Sequence, residues 1–335
     1  MQREVSMSVD RGNYQDAVTP WERSEWREGA LGWVEAQLAA RGLRPAGRGQ
    51  WRVRLRPWSV LVRIGVRDGA DVWFKANPPA SAFEGALTAA LAGWVPEHVL
   101  EPLAVDAGRG WALLPSGGEV FRDVLERGAA DVRAWEGALW QYARMQRALV
   151  PYVDEMSRLG VPDARAAALP SIFDSALAAN TALDPADRAR LTALRPRLLD
   201  WCAELAETGV PDSLDHCDLH DGQLFHPEPG RFTFFDWGDA NISHPFCSFT
   251  VPARRVRERY GPEALPRLRD AYLEPWTGDG RTLPELRRAL TLATRLGALA
   301  PTRAWTRLFP GTSLPAADAA CAEWLRGLCT EEHPR

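Results

Sequence analysis

Apolar and polar residues alternate with a period of two in the segment that begins at Trp51. Such alternation predicts β-strands that bury one face. Proline and glycine separate the runs, which predicts turns between neighbouring strands. We therefore expect a sheet-rich region interrupted by one helix over Phe83–Trp94. The predicted strands are 51–55, 60–66, 72–76, 99–104 and 111–114.

Helical patterns dominate on both sides of this region. Thr19-Pro20 has the N-cap and first-turn proline of a helix start, and the apolar spacing that follows predicts a helix to about Ala40. After Gly117-Gly118 the predicted helices are 120–128, 131–149, 164–180, 185–208, 255–274 and 283–308, with two short strands within 213–237. The expected fold class is α+β. A tail and helix (1–48) would pack on a small antiparallel β-rich N-lobe (49–115), which precedes a larger α-helical C-lobe (116–335).

Composition narrows the class of partner. The chain has 335 residues, 46% of them hydrophobic, and a formal net charge of −4. Without a net positive charge we expect neither a nucleic-acid partner nor an anionic membrane partner. Apolar stretches such as Ala86–Val95 are too short to span a bilayer, and Met1–Ser6 lacks the apolar core of a signal peptide. Five cysteines without a CxxC pair favour a reduced, cytoplasmic protein. Whether the protein is a monomer or a homodimer is left undetermined.

One basic residue differs from all the others. Lys75 is the single lysine among 40 basic residues, at the end of a predicted strand. Lysine is a compact point charge, whereas arginine is a broad planar fork. A position that keeps lysine in a chain this rich in arginine is either a chance survivor or a place that arginine does not fit.

A second group of residues carries candidate chemistry. Asp218 lies in a polar turn within Leu214–Phe225, and Gln223 follows five residues later. Asp236 ends the apolar run Phe232–Phe235. One hairpin separates the two acids, so we expect two carboxylates and a carboxamide to converge. Oxygen ligands of this kind suit Mg²⁺.

These residues resemble the motifs of the aminoglycoside phosphotransferase and choline-kinase group of small-molecule kinases, which are relatives of the protein kinases. The pattern is His-x-Asp with an amide five residues beyond the Asp, then an apolar strand that ends in Asp. The resemblance implies a two-lobed protein-kinase-like fold and an ATP- and magnesium-dependent transfer of the γ-phosphate to a hydroxyl of a small molecule. The nucleotide would be ATP, with GTP as the alternative.

The resemblance also implies a role for each residue. Asp218 would accept the proton of the acceptor hydroxyl, and His216 would hold the loop. Asp236 and Gln223 would bind Mg²⁺. Lys75 would contact the α- and β-phosphates. The remaining nucleotide contacts would be Glu84, which holds Lys75, Ser59 near the phosphates, and the backbone of Leu113 and Leu114 near adenine.

Two departures from the family pattern are visible. Gln223 stands where the family has asparagine, which adds one methylene to a metal ligand and bears on whether one or two metals bind. The turn at Arg56–Ser59 contains no glycine, although the family covers the phosphates with a glycine-rich loop.

The acceptor is not encoded in a motif. Asp221 and Asp239 lie beside the catalytic segment and favour an acceptor that carries an amine, such as an aminoglycoside or amino alcohol; sugar-like acceptors stay open. Two alternatives also stay open. One is a non-catalytic descendant that binds nucleotide. The other is a metallohydrolase that uses His216, Asp218, His220 and Asp236 as zinc ligands.

Overall fold

The computed structural model describes residues 8–67, 69–278, 280–303 and 314–329. The strands are β1 (Arg52–Arg56), β2 (Ser59–Ile64), β3 (Val72–Ala76), β4 (Ala104–Asp106), β5 (Trp111–Pro115), β6 (Ser213–Asp215), β7 (Leu224–Glu228), β8 (Arg231–Phe234) and β9 (Asn241–Ser243). The helices are α1 (Ser24–Ala40), α2 (Phe83–Trp94), α3 (Phe121–Glu126), α4 (Val132–Leu149), α5 (Val153–Arg158), α6 (Leu169–Ala179), α7 (Pro185–Glu207), α8 (Thr250–Tyr260), α9 (Leu265–Leu273), α10 (Leu283–Leu296), α11 (Leu299–Thr302) and α12 (Pro315–Gly327).

The first five strands form an antiparallel sheet in the order β1-β2-β3-β5-β4. Period-two alternation sets its two faces. On β3, Val72, Phe74 and Ala76 are buried, and they belong to a core that includes Val34 and Leu38 of α1. Successive side chains of a strand point to opposite faces, so Lys75 lies on the face turned away from that core.

Helix α2 links the sheet to the larger core. Its apolar residues Phe83, Leu87 and Leu91 are buried in the cluster formed mainly by the helical region. Glu84 lies in the first turn of the same helix and is only 4% exposed. Because α2 follows β3 after a short turn, Glu84 arrives beside Lys75 on the outer face of the sheet.

The helical region surrounds a buried polar network on α4. The Gln146 amide donates to the carbonyls of Leu214 and Pro245, and Tyr272 donates to Gln146 Oε1 at 2.7 Å. These bonds tie the segment before the candidate catalytic loop to the centre of the fold, and they satisfy polar groups that would otherwise be costly to bury. No helix in the described ranges is both long and apolar enough to cross a bilayer.

The residues before α1 contact both parts of the molecule. The Asp10 amide donates to the Leu55 carbonyl at 3.0 Å, and the Tyr14 ring packs edge-on against Trp58. Ala17 is buried with Leu314 and Ala317 of the helical region. The assignment of 1–48, 49–115 and 116–335 as separate units stays a proposal.

The structure corrects three predicted elements. The strand expected at 99–104 starts only at Ala104, because Pro102 has no amide to donate and the first ladder bond runs from Leu103 N to Leu113 O. The single helix expected at 255–274 is two helices, α8 and α9. Gly261 adopts φ +87° between them, and Pro262 cannot continue α8. The helix expected at 283–308 is also broken, since α10 ends at Leu296 and α11 covers Leu299–Thr302, and residues 304–308 lie outside the described residues.

Candidate active site

Lys75 lies between two carboxylates. Its Nζ is 2.7 Å from Glu84 Oε1 and forms a second ion pair with Asp236, and its side chain is 11% exposed. Burial by itself lowers the pKa of this ammonium, but the charges of Asp236 and Glu84 outweigh that effect and raise it above the ordinary value. Lys75 is therefore a fixed positive charge at every physiological pH.

Glu84 is held by groups from three segments. Its Oε1 also accepts the Trp237 amide at 3.0 Å, and its Oε2 accepts from the Asn77 side chain. Gly238 passes so close that an added Cβ would sit 3.1 Å from Oε2. This carboxylate thus connects β3, α2 and the turn after β8, so it fixes the distance between Lys75 and Asp236.

Asp236 has an uncommon backbone conformation. It lies two residues beyond the end of β8 with φ +70° and ψ +61°, the left-handed region that non-glycine residues rarely occupy. The next turn is anchored by Ser81 Oγ, which donates to the Gly238 carbonyl at 2.9 Å. Burial alone would raise the pKa of the Asp236 carboxyl, but the adjacent Lys75 charge lowers it to about 2. Asp236 is therefore ionised at neutral pH.

The loop that carries Asp218 rests on buried Asp215. The two oxygens of Asp215 accept from the Cys217 amide at 2.9 Å, Ser248 Oγ at 2.7 Å and Ser243 Oγ at 3.3 Å. These bonds hold Cys217 at φ +61°, another left-handed non-glycine position. His216 Nε2 lies 2.9 Å from the Phe235 carbonyl, so it joins the loop to the residue before Asp236. The role of His216 in holding the loop stays a prediction.

Asp218 has a direct neighbour that the sequence analysis counted only as an alternative zinc ligand. His220 Nε2 lies 3.5 Å from Asp218 Oδ2. The Gly222 amide donates to His220 Nδ1 at 2.9 Å, and Arg122 Nη2 lies 3.1 Å from the same atom. Two donors at Nδ1 require an acceptor there, so the ring proton is on Nε2 and faces Asp218. Burial raises the pKa of the Asp218 carboxyl, but the hydrogen bond from His220 contributes to a net lowering.

Removing the His220 imidazole is expected to change the behaviour of Asp218. For His220→Ala we expect kcat to fall by about tenfold. This corresponds to an activation free energy that is higher by roughly 1.4 kcal/mol because Asp218 is no longer oriented by the imidazole. Because the imidazole lowers the pKa of Asp218, the acid limb of the pH–rate profile should move to higher pH in the variant. Pre-steady-state and steady-state rates between pH 4 and 9 measure both effects. His220→Gln keeps an N–H donor and should recover part of the rate; an unchanged acid limb in His220→Ala would contradict this role.

A cavity of about 700 Å³ brings these groups together, within the range of ordinary small-molecule sites. Its wall includes Lys75, Glu84, Asp218, Gln223 and Asp236, which are the central residues of the sequence-based prediction. Ser59 and Asp239 also line it.

Three other predicted residues are placed differently. Leu113 and Leu114 are in β5 and are not part of this cavity wall, and the Leu113 carbonyl already accepts the Leu103 amide at 2.7 Å. Asp221 is likewise absent from the wall, because Arg122 Nε and Nη2 donate to its Oδ1 at 3.0 and 2.9 Å. The roles of Leu113 and Leu114 at adenine and of Asp221 at the acceptor stay predictions.

Several residues that shape the site were not predicted from the sequence: Asn77, Arg122, Tyr142 and Asp215. Tyr142 OH accepts the His216 amide at 3.1 Å across 74 residues, and Arg122 reaches Asp221 across 99. No local signal in the sequence links such pairs. Asp215 was within the motif segment, and its position at the end of a buried strand was the one available clue.

The donor atoms of the site bear on which metal it could hold. In the part of the chain that the structure describes, no group of three His, Cys, Asp or Glu side chains converges to hold a metal. His216 Nε2 contacts the Phe235 carbonyl and His220 Nδ1 accepts from the Gly222 amide, so one nitrogen of each ring is engaged within the protein. Gln223 and Asp236 are neighbours, since the Phe235 amide donates to the Gln223 carbonyl at 3.1 Å. A carboxylate plus an amide oxygen is the donor chemistry that Mg²⁺ accepts when phosphate oxygens complete its shell.

Solved structures of low sequence identity share this fold. A macrolide 2′-phosphotransferase from Brachybacterium faecium superposes with a TM-score of 0.59 and 20% identity, over 91% of this chain and 100% of that chain. An ethanolamine kinase of Plasmodium vivax gives 0.56 and 11%, over 84% and 82%. An amicoumacin kinase, solved with AMP-PNP and Ca²⁺, gives 0.55 and 12%, over 91% and 96%. The predicted two-lobed protein-kinase-like fold is confirmed.

The family is established by sequence. No curated protein sequence matches the chain. A sequence profile of the phosphotransferase enzyme family, however, matches residues 51–288, which is more than half of the chain. The matched range includes Lys75, Glu84, Asp218, Gln223 and Asp236. The predicted family and the predicted enzyme class are thereby confirmed: the chain belongs to the phosphotransferase enzyme family.

Proposed function

We propose that this protein transfers the γ-phosphate of ATP to a hydroxyl of a small molecule, with Mg²⁺ as the metal. The observation that carries the proposal is the position of Lys75, held between Glu84 and Asp236 on the wall of the cavity that also contains Asp218. A cation for phosphates, two oxygen ligands for a metal and a carboxylate base then surround one space. Among the structures of similar fold, one contains AMP-PNP and others contain GDP, which supports a nucleotide as the donor.

The chemistry requires little covalent help from the protein. Phosphate transfer depends on aligning the hydroxyl with the γ-phosphorus and on compensating charge on the phosphate oxygens. Asp218 accepts the hydroxyl proton as the acceptor oxygen bonds to phosphorus and the bond to the β–γ bridging oxygen breaks, so that ADP leaves. Because its pKa is lowered, Asp218 is ionised and able to take this proton at neutral pH.

Each remaining residue has a supporting role in this proposal. Lys75 binds the α- and β-phosphates, and Glu84 keeps its ammonium in place. Asp236 and Gln223 hold Mg²⁺, which when bound neutralises charge on the phosphate oxygens. Ser59 lies on the cavity wall and contacts phosphate from the turn between β1 and β2. His216 fixes the loop through the Phe235 carbonyl.

Metal dependence provides the direct test. With radiolabelled ATP and a panel of hydroxyl compounds, we expect labelled product in the presence of Mg²⁺, and a loss of at least a hundredfold when EDTA removes the metal. Parallel assays with GTP show which nucleotide is used. Binding of Mg-AMP-PNP is measured separately by calorimetry.

The alternatives predict different results. A protein that binds Mg-AMP-PNP but never transfers label to any acceptor, and shows no slow ATP hydrolysis, would be the non-catalytic descendant. Failure to bind nucleotide at all would contradict the proposal itself. Stoichiometric zinc in the purified protein would support the metallohydrolase alternative instead.

A further inference from the structure

The cavity continues from Asp218 into the helical region. On that side its wall comprises the following residues, which we call the acceptor end: Val251, Arg254, Arg255, Ala300, Pro301, Arg303 and Trp324. They come from α8, from α11 with the residue after it, and from α12. None of them is among the residues described above around Lys75 and Asp218. An acceptor whose hydroxyl lies at Asp218 would extend its remaining atoms toward these side chains.

The charge of the acceptor end is positive. Arg254, Arg255 and Arg303 contribute three guanidinium groups, and none of the seven residues is acidic. Glu84 and Asp236 of the cavity wall pair with Lys75, and the other acids of the wall are Asp218 and Asp239. Asp218 serves the transferred proton in the proposed function, which leaves Asp239 as one carboxylate of the wall beside three guanidinium groups.

Arg254 is the most informative of the three. Its guanidinium stands 5.4 Å from the centre of the Trp324 ring, and among the described residues no carboxylate pairs with it. Arg254 differs in this respect from Arg287, which pairs with Asp270, and from Arg195, which pairs with Asp174. Arg255 pairs with Glu258 at 3.4 Å on the exposed side of α8.

We propose that the acceptor carries an anionic group, a carboxylate or a phosphate monoester, besides the hydroxyl that is phosphorylated. This inference rests on the proposed function and specifies its substrate class. A guanidinium fork matches the two oxygens of either group, and the indole of Trp324 orients the Arg254 fork while offering an apolar surface to the acceptor body. A polyamine acceptor would instead meet like charges at this end. The proposal therefore replaces the preference for an amine that Asp221 and Asp239 suggested.

The substrate class is tested with acceptors that share one scaffold and differ in charge. Glucuronate and glucose 6-phosphate are the anionic members, glucose is neutral and glucosamine is cationic. A second series uses glycerate, glycerol 3-phosphate, glycerol and 3-amino-1,2-propanediol. We expect kcat/KM with Mg-ATP to be at least tenfold higher for an anionic member than for its neutral and cationic counterparts. Comparing kcat/KM between the carboxylate and the phosphate acceptors of each series shows which anion is preferred.

Two variants of helix α8 form a matched pair. Arg254→Gln removes the guanidinium at the acceptor end, and we expect KM for the anionic acceptor to rise at least tenfold with little change in kcat. Arg257→Gln makes the same change three residues along the helix, at an exposed position outside the cavity wall. It should leave both constants unchanged. Equal melting temperatures confirm that both variants fold.

Three outcomes would overturn the inference. The first is a neutral or cationic member that is phosphorylated as well as its anionic counterpart. The second is Arg254→Gln with an unchanged KM for the anionic acceptor. The third is the absence of both turnover and calorimetric binding for every anionic member, although Mg-AMP-PNP binds. In each case nucleotide binding or transfer persists, so these results are distinct from failure of the proposed function, in which Mg-AMP-PNP does not bind.

Discussion

Replacing Asp218 with asparagine is expected to lower kcat for phosphate transfer by about a thousandfold, within the range of 10² to 10⁴ that general-base catalysis contributes. The amide has the size of the carboxylate but cannot accept the hydroxyl proton. The loop itself should stay in place, because Asp215, His216 and Tyr142 hold it through bonds that do not involve the Asp218 carboxylate. We therefore expect KM for the nucleotide to change by less than threefold.

Asp200→Asn is the matched control for this variant. Asp200 is an exposed residue of α7 and does not line the cavity, so the same loss of charge there should leave kcat unchanged. Calorimetry with Mg-AMP-PNP should show that Asp218→Asn still binds nucleotide. Retention of more than a tenth of the wild-type kcat in Asp218→Asn would contradict its role as the base.

The features that could be predicted from the sequence are those that depend on short-range interactions along the chain. The placement of Lys75 follows from alternation along β3, since Phe74 and Ala76 on either side are buried. The meeting of Asp218 and Asp236 follows from one hairpin, β7–β8, that separates them. Both depend on neighbours within about twenty residues. Hydrophobic periodicity and turn residues carry enough information at that range.

Long-range pairing explains what the sequence did not predict. Asp221 stands next to the catalytic motif, and its local context suggested a contact with an amine. Its partner is Arg122, whose position 99 residues earlier gives no signal in a single sequence. The same limit hid the guanidinium groups of α8 at the acceptor end, because α8 looks like an ordinary exposed amphipathic helix until α12 is placed beside it.

The break between α8 and α9 has a different origin. The apolar residues of segment 255–274 keep a helical spacing throughout, but the helix itself is interrupted at Gly261-Pro262. Proline is tolerated at the start of a helix, so its presence alone does not fix a boundary. The left-handed Gly261 together with the missing Pro262 amide ends α8 here, and a new helix starts a few residues later.

The largest effect at the nucleotide end is expected from the exchange of Lys75 for arginine. For Lys75→Arg we expect kcat/KM for ATP to fall at least a hundredfold although the charge is conserved. The side chain is 11% exposed and its single ammonium contacts both Glu84 and Asp236. A guanidinium in that space would bind the two carboxylates with its planar fork, and it would then hold Asp236 away from metal and its charge away from phosphate.

Two further variants separate shape from charge at this position. Lys75→Met leaves Glu84 buried without its ion pair and should destabilise the fold by about 3–5 kcal/mol, the usual cost of breaking a buried pair. Lys75→Arg should not, so its melting temperature should stay close to that of the wild type. The reverse exchange, Arg63→Lys on the neighbouring strand β2, involves an exposed pair with Asp71 and should leave activity unchanged. If Lys75→Arg keeps full activity, the lysine is a chance survivor in an arginine-rich chain, and the ammonium has no special fit to this site.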